Sequence, residues 1–579
     1  MQMRKRTEHI LTILIYVASV GAVTTLLMEY GYKKPPMPAP ILHAINYAIV
    51  AIFISNTIIK LIFAPSKLRY LKLHIIEFIL VTMFIVTLLL IRELAPSILH
   101  KNIIAATRIY LVIVQIYILV YMAYHLSFVG KKVSELGLKP PQIVLLSFLI
   151  VVLTGTLLLS LPNATASGVR APLLTALFTA TSATTVTGLI VVDTGSYFSH
   201  MGQIVILTLI QIGGLGMMTL VAFFSMIVGR GMGLRESALV GDILDHDFMG
   251  RVGSLIVVII LTTAALELIG TGLLYLVWKD ESFLHGGVFY FSLFHAISAF
   301  CNAGFSLFQD SFIRFRTNYP FNFIVITLII LGGLGFQVLK NIFSTIRYRI
   351  NKRIRRERIS LHTKLVLTAT AILLALGTTV FFGLLGGADE SGFGLPQRAM
   401  VAFFQSVTTR TAGFNTTNIG AVSVPFLFMA LVLMFIGASP GSTGGGIKTS
   451  TAAVIFAYML NIFTGRGRVS TFKRSIPDEL IKKTFAVLIA SFTLIALVTF
   501  MLTLFEKYSF MDLLFEVTSA VGTVGLSRGI TPYLTQEGKI LITIAMFLGR
   551  IGPLTLFLAL SYAEKKAIYE YPEERVLIG

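Results

Sequence analysis

TALFTATSATTVTGLI, residues 175–190, is the stretch on which the fold turns, because it is too short and too polar to cross a bilayer yet lies between two long apolar runs. A crossing helix needs about 20 mainly apolar residues. The pattern returns as SLFHAISAFCNAGFSL at 292–307, VAFFQSVTTRTAGFNT at 401–416 and DLLFEVTSAVGTVGLS at 512–527. Each copy has an aromatic near its start, a Ser or Thr midway, and a Gly followed by Leu or Phe. The aligned glycines are Gly188, Gly304, Gly413 and Gly525, spaced by 116, 109 and 112 residues. Repetition at a nearly fixed period marks a fold built from one unit used several times. The expected class is therefore an all-α integral membrane protein, with four pseudo-fourfold helix, pore-loop, helix repeats around one ion pore. The repeats fall near 143–230, 250–348, 362–463 and 480–565.

Composition agrees with lipid as the solvent. Of 579 residues 55% are hydrophobic and 13% charged, against about 25% charged in a soluble domain; the mean hydropathy is +0.85. A soluble enzyme, a secreted disulfide scaffold and a disordered chain are excluded. The single cysteine, Cys301, rules out an intrachain disulfide and a Cys-rich metal centre. The formal charge of +20 calls for no nucleic acid, because the basic residues lie between apolar spans, where cytoplasmic loops collect Lys and Arg. The linkers at 229–251, 346–362 and 464–483 are basic, and RYRINKRIRRER at 347–358 carries seven Lys or Arg. They predict a multi-pass plasma-membrane protein with both termini cytoplasmic; GGADESG at 386–392 would face outward. Further apolar runs at 8–29, 42–64, 72–92 and 103–126 predict a four-helix extension, residues 1–130, ahead of the pore domain at 140–579. MQMRKR at the start reads as the flank of a first membrane helix and not as a cleavable signal.

A re-entrant stretch must line a watery cavity or be buried in protein, since bare backbone cannot face lipid. Four of them meeting on one axis would direct four partially negative half-helix ends at the membrane centre, which favours a cation there. The residues that follow are Val186-Thr187-Gly188, Asn302-Ala303-Gly304, Thr411-Ala412-Gly413 and Thr523-Val524-Gly525. None is charged. A filter of backbone carbonyls suits K⁺, whereas divalent sites use carboxylates. One such Gly pair would be ordinary helix packing; four in register are the signal.

These residues resemble the Trk/Ktr/HKT superfamily of K⁺ transporters, and most closely its KtrB-like bacterial members. The resemblance covers about 140–579. It rests on the four stretches above, QIGGLG at 211–216, GGLGFQ at 332–337, GASPGSTGGGIKTS at 437–450, GRIGPLT at 549–555 and the ending YPEERVLIG. It implies a K⁺-translocating subunit that carries no bound cofactor beyond the transported ion. It further implies a homodimer of pore subunits in lipid, docked on a cytosolic RCK/KTN-type ring of nucleotide-binding, KtrA/TrkA-like subunits. In some plant relatives a Ser at the first filter glycine goes with Na⁺ transport; here that position is Gly188.

Two features read as a gate. The run Gly437, Ala438, Ser439, Pro440, Gly441, Ser442, Thr443, Gly444, Gly445, Gly446 should break the inner helix of the third repeat just below the filter. The resemblance implies a loop that obstructs the pore and moves on activation; a Gly-rich kink for packing is the other reading. Arg550 lies inside the last span, where an unpaired cation costs about 2.5–3.5 kcal/mol. It should face the cavity, or else pair with a helix-end carbonyl or with Glu516. Glu267 reads as a paired structural charge, and Cys301, His295 and Arg410 as local packing or hydrogen-bonding groups. GSTGGGIKTS is no nucleotide loop, because Ile447 separates Gly446 from Lys448. The segment 45–78 loosely resembles voltage-sensor helices, but Arg108 alone on the fourth helix predicts a degenerate, voltage-insensitive module. The function expected is channel-like K⁺ uptake; Na⁺-coupled or Na⁺-activated K⁺ uptake is the alternative, and a non-conducting sensor or scaffold the rival of another class. No nucleophile and base pair or metal-ligand spacing suggests an enzyme.

Overall fold

A computed structural model describes residues 2–62, 140–216, 252–281, 287–350, 358–385, 392–465 and 468–552, with 66, 67, 71, 78, 81 and 82. Its regular structure is helical apart from a small ribbon, Ser470–Thr471 against Arg474–Ser475. Helices α1 (Gln2–Tyr30) and α2 (Ala39–Ile62) belong to the extension. The spans expected at 72–92 and 103–126, the linker at 229–251 and the C-terminal residues from 553 lie almost wholly outside the described residues.

Beyond them a long helix, a half-helix and an inner helix follow one another four times. The first set is α3 (Pro140–Leu159), α4 (Leu173–Thr184) and α5 (His200–Gly214). The second is α6 (Val252–Trp278), α7 (Val288–Phe300) and α8 (Tyr319–Leu334), continued by α9 (Phe336–Ile350). In the third, α10 (Leu361–Leu384) and α11 (Leu395–Thr408) precede an inner helix split into α12 (Val424–Phe435) and α13 (Thr449–Phe463). The fourth is α14 (Asp478–Phe505), α15 (Phe510–Gly522) and α16 (Gln536–Ile551). Among the described residues five helices are long and apolar enough to cross a membrane, at 40–62, 142–159, 257–278, 361–384 and 478–505. The half-helices, at 12 to 14 residues, reach only about 20 Å at 1.5 Å per residue.

Local chemistry sets the helix ends. Ser199, Asn318 and Thr535 cap α5, α8 and α16 by accepting from Gly202 N, Phe321 N and Gly538 N, which satisfies donors that a helix start leaves bare. The same helices stop where a glycine takes a left-handed backbone: Gly216 (φ +78), Gly335 (φ +89) and Gly552 (φ +87). At Gly335 the chain bends by 103° between α8 and α9.

Packing closes the four units into a cycle. Each inner helix packs on the half-helix of the next unit: α5 on α7, α8 on α11, α12 on α15, and α16 back on α4. Inside lipid, association depends on close packing rather than on expulsion of water, and small residues supply it. A Cβ on Gly213, Gly332 or Gly549 would collide with the carbonyl of Thr184, Phe300 or Val521, at or next to the C-terminal residue of a half-helix. On the outer side, Trp278 is fully buried among His295, Phe308, Phe315 and Phe321, with ring centroids 5.4 to 5.7 Å away. The extension joins this body at the turn after α1, where Asn163 donates through Nδ2 to Tyr30 O (2.6 Å) and through N to Gly31 O (3.0 Å).

Candidate functional site

The triplet after each half-helix has a left-handed residue at its first and third positions. The φ values are +55 and +91 for Val186 and Gly188, +58 and +69 for Asn302 and Gly304, +70 and +78 for Thr411 and Gly413, and +48 and +94 for Thr523 and Gly525. Glycine takes this conformation freely. Val186, Thr411 and Thr523 are β-branched and take it only under compulsion, at roughly 1–3 kcal/mol each. The compulsion comes from hydrogen bonds to the parent half-helix. Thr187 N donates to Ser182 O (2.8 Å), Ala303 N to Ser298 O (2.8 Å), Ala412 N to Thr408 O (3.0 Å) and Val524 N to Ser519 O (2.8 Å). Gly188 N and Gly525 N donate to the hydroxyls of Ser182 and Ser519, at 3.1 and 3.0 Å. The Ser or Thr midway along each stretch is thus the anchor of the strand that follows.

With their N–H groups turned back, the triplets leave their carbonyls free. None of these carbonyls accepts a hydrogen bond among the described residues, although every triplet residue except the half-buried Gly304 is buried. Where they point follows from the glycines. An added Cβ on Gly188 would lie 2.5 Å from Ala303 O, on Gly304 3.0 Å from Ala412 O, and on Gly413 2.6 Å from Val524 O; on Gly525 it would strike Thr187 O. Each glycine abuts the next unit's carbonyl, and the fourth returns to the first. Four unpaired backbone oxygens, those of Thr187, Ala303, Ala412 and Val524, thus lie around one closed cycle, the chemistry a desolvated cation requires, since buried carbonyls otherwise find partners.

Three units clasp the chain behind the triplet with a polar side chain on the half-helix. His295 Nε2 accepts from Leu307 N (3.2 Å), Gln405 Nε2 donates to Thr416 Oγ1 (3.2 Å), and Glu516 accepts from Arg528 N (2.8 Å), Ser527 Oγ (2.7 Å) and Thr531 Oγ1 (2.7 Å). Arg528 in turn pairs with Asp512 at 2.8 Å. Sequence reasoning gave His295 as a packing or hydrogen-bonding group but missed Gln405 and Glu516 as its counterparts, because His, Gln and Glu share no composition; only their position, 11 or 12 residues ahead of the first partner, gives the set away.

On the basic-linker side of the ring the third inner helix is interrupted, as the glycine run predicts. The intervening residues fold back, with Gly437 N donating to Ile447 O (2.9 Å) and Ala438 N to Gly445 O (3.1 Å). The loop crosses under the ring and touches the second, third and fourth units. Ser439 N and Thr443 N donate to Gly333 O and Gly332 O, at 3.0 and 3.2 Å, and Thr443 Oγ1 to Phe300 O at 3.1 Å. Gly444 and Gly445 abut the hydroxyls of Thr411 and Thr523. Arg550 completes the span, donating through Nη1 to Thr443 O at 2.6 Å and through Nη2 to Gly213 O. Of the pairings open to Arg550, the structure takes the helix-end carbonyl and adds the loop; Glu516 is engaged elsewhere. Lys448 Nζ donates to Gly444 O at 2.8 Å, so a second cation holds the same loop.

The expectation for Glu267 needs correction. Among the described residues no cation pairs with it; Gln211 Nε2 (3.1 Å) and Cys301 Sγ (3.7 Å) donate to its carboxylate instead. In place of an ion pair, a small polar cluster joins α6, α5 and the residue before Asn302. The side-chain amide of Asn302 lies 3.2 and 3.1 Å from Ile329 O and Ala299 O, and the orientation that satisfies both carbonyls makes its nitrogen the donor.

The chain matches the TrkH family model, described as cation transport protein, over residues 111–571. It is 40% identical over 444 residues to the Ktr system potassium uptake protein B of Bacillus subtilis, covering 76% of this chain and 96% of that protein. It is 36% identical over 449 residues to the potassium/sodium uptake protein NtpJ of Enterococcus hirae, covering 76% of this chain and 97% of that one. The solved structure of the potassium transporter TrkH from Vibrio parahaemolyticus superimposes with a TM-score of 0.58 at 17% identity, covering 84% of this chain and 97% of that one, a likeness of fold. With the family model spanning most of its length and relatives of this identity matched almost end to end, the chain belongs to the TrkH family of cation transport proteins.

Proposed function

We propose that this chain is the K⁺-translocating subunit of an uptake system in the plasma membrane, with its termini and basic linkers cytoplasmic. One observation carries the reading: the cycle in which each triplet glycine abuts the next unit's carbonyl and the fourth returns to the first. A ring of bare carbonyls replaces the hydration shell of an alkali ion, and the membrane potential supplies about 2.3 kcal/mol per charge per 100 mV. Val186 to Gly188, Asn302 to Gly304, Thr411 to Gly413 and Thr523 to Gly525 form the filter. The loop 437–446 is the gate, and Arg550 its latch. The relative named a Ktr system protein favours a partner, here a cytosolic nucleotide-binding ring beneath a homodimer of pore subunits, the nucleotide being on the ring and not on this chain. Residues 1–130 are a separate four-helix module against the first unit.

A second reading has its own support in the relative named for both ions: K⁺ uptake coupled to, or activated by, Na⁺. Uptake of ⁸⁶Rb⁺ by K⁺-starved cells lacking their own systems, with and without Na⁺, tests both. Uptake without Na⁺ supports the channel-like reading, and strict Na⁺ dependence the second. No uptake with the chain properly inserted refutes conduction and favours a membrane sensor or scaffold.

A further inference from the structure

Arg410 is a charge that neither filter nor gate employs. It follows α11 by two residues and immediately precedes Thr411, yet its side chain borders a cavity between the second and third units. That cavity is small, with room for about one water-sized or slightly larger group, and Asn302, Ile329, Gly333, Thr370, Val407 and Ala438 are among its walls. Arg410 is only 7% exposed. Among the described residues its guanidinium makes one hydrogen bond, Nη2 to Thr370 Oγ1 at 3.5 Å, and Nε has no acceptor. The last carbonyls of α11, the usual acceptors for a cation at a helix C-terminus, are already taken. Thr409 holds Gln405 O and Ser406 O, Arg410 N holds Val407 O, and Ala412 N holds Thr408 O. No carboxylate of the described residues pairs with it.

A buried cation with no counter-charge is unfavourable in a low-dielectric setting. The space beside this one is walled by apolar residues, the Thr370 hydroxyl and Asn302, with no carboxylate among them. We propose that the cavity is an anion site, in which Arg410 and the Thr370 hydroxyl bind a small inorganic anion of chloride size behind the filter. Guanidinium N–H groups are donors only, so their ligand must accept, and the apolar walls strengthen the pairing with an anion. Depth identifies the source. The cavity shares Asn302 with the filter, whereas lipid headgroups lie at the surfaces of a hydrocarbon core about 30 Å thick, so the anion comes from solution.

The site also adjoins the gate. Gly333 O accepts from Ser439 N at 3.0 Å, and Ala438 N donates to Gly445 O at 3.1 Å. A bound anion offsets the guanidinium charge beside the third filter strand and braces the root of the loop, so conduction depends on its occupancy.

The test is ³⁶Cl⁻ binding to the purified full-length chain, set beside ⁸⁶Rb⁺ uptake into proteoliposomes. Wild type binds chloride saturably and yields it to bromide but not to gluconate; Arg410→Gln weakens binding by about tenfold or more, as loss of a charge-assisted bond requires. Thr370→Val, which keeps the charge, weakens it less and serves if the first variant does not fold. Replacing chloride by gluconate lowers wild-type uptake by about twofold or more and leaves Arg410→Gln unchanged. Absence of saturable binding, or binding by Arg410→Gln equal to wild type, overturns the site; uptake indifferent to chloride overturns its link to conduction. Only the uptake arm rests on the K⁺ reading, so failure of that reading leaves the binding result standing.

Discussion

Replacing Arg550 by Ala tests the proposed latch. In the structure one of its two hydrogen bonds ends on the loop, at Thr443 O, and the other on the first inner helix, at Gly213 O. Only the bond to Thr443 distinguishes a seated loop from a displaced one. A hydrogen bond from a charged donor is worth about 1.5–3 kcal/mol, so its loss shifts the loop toward the displaced arrangement by roughly 10- to 150-fold. The loop does not fall free. Ser439 N, Thr443 N and Thr443 Oγ1 keep their carbonyl partners on the second unit, and Gly441 O keeps Phe336 N at 3.0 Å. These neutral bonds, at about 0.5–1.5 kcal/mol each, hold it seated part of the time. Expected, then, is a rise in ⁸⁶Rb⁺ uptake of about tenfold or more in proteoliposomes containing this chain alone, normalised to inserted protein. Arg550→Lys keeps the charge but loses the planar fork, and falls between. Uptake by Arg550→Ala at or below wild type, from protein that elutes normally, would refute the latch and leave Arg550 a purely structural tie.

Three further outcomes follow from the same geometry. Thr443→Val deletes only the bond to Phe300 O, and basal uptake should rise by roughly 2- to 12-fold in the same assay. Gly188→Ser puts a Cβ 2.5 Å from Ala303 O at a φ of +91, so the ring must spread. Reversal potentials under K⁺/Na⁺ gradients should move toward Na⁺, a tenfold loss of preference appearing as about 59 mV; an unmoved potential counts against the ring as filter. Glu516→Gln weakens the clasp on Ser527, Arg528 N and Thr531. It should cost about 1–3 kcal/mol, read as a lower temperature of thermal aggregation, with no change in the response to loop variants.

Much of this site was readable before any coordinates, for a physical reason. Gly188, Gly304, Gly413 and Gly525 occupy positions where a Cβ meets a neighbour's backbone, and such positions betray themselves by residue type. So does the loop, because ten small residues in a row cannot stay helical. The left-handed Val186, Asn302, Thr411 and Thr523 were not foreseeable, since tertiary bonds to the half-helices force what local preference opposes. Nor was the 103° bend at Gly335, which Gly216 and Gly552 match in φ without being followed by a second helix among the described residues. Arg550 was recognisable as misplaced in a span, but its partners are carbonyls more than 100 residues away, and backbone acceptors leave no trace in residue identity. Glu267 shows the converse. A charge flagged by its surroundings found neutral donors, Gln211 and Cys301.

The barrier and its fastening are unevenly shared: the loop comes from the third unit alone and Arg550 from the fourth. A channel assembled from identical subunits carries four copies of every door and can stand partly ajar. On the proposed reading this chain carries one door and one bolt per conduit, in fixed stoichiometry. Single-channel currents should therefore switch between two levels without sublevels, and any steepness in activation must originate outside the conducting chain.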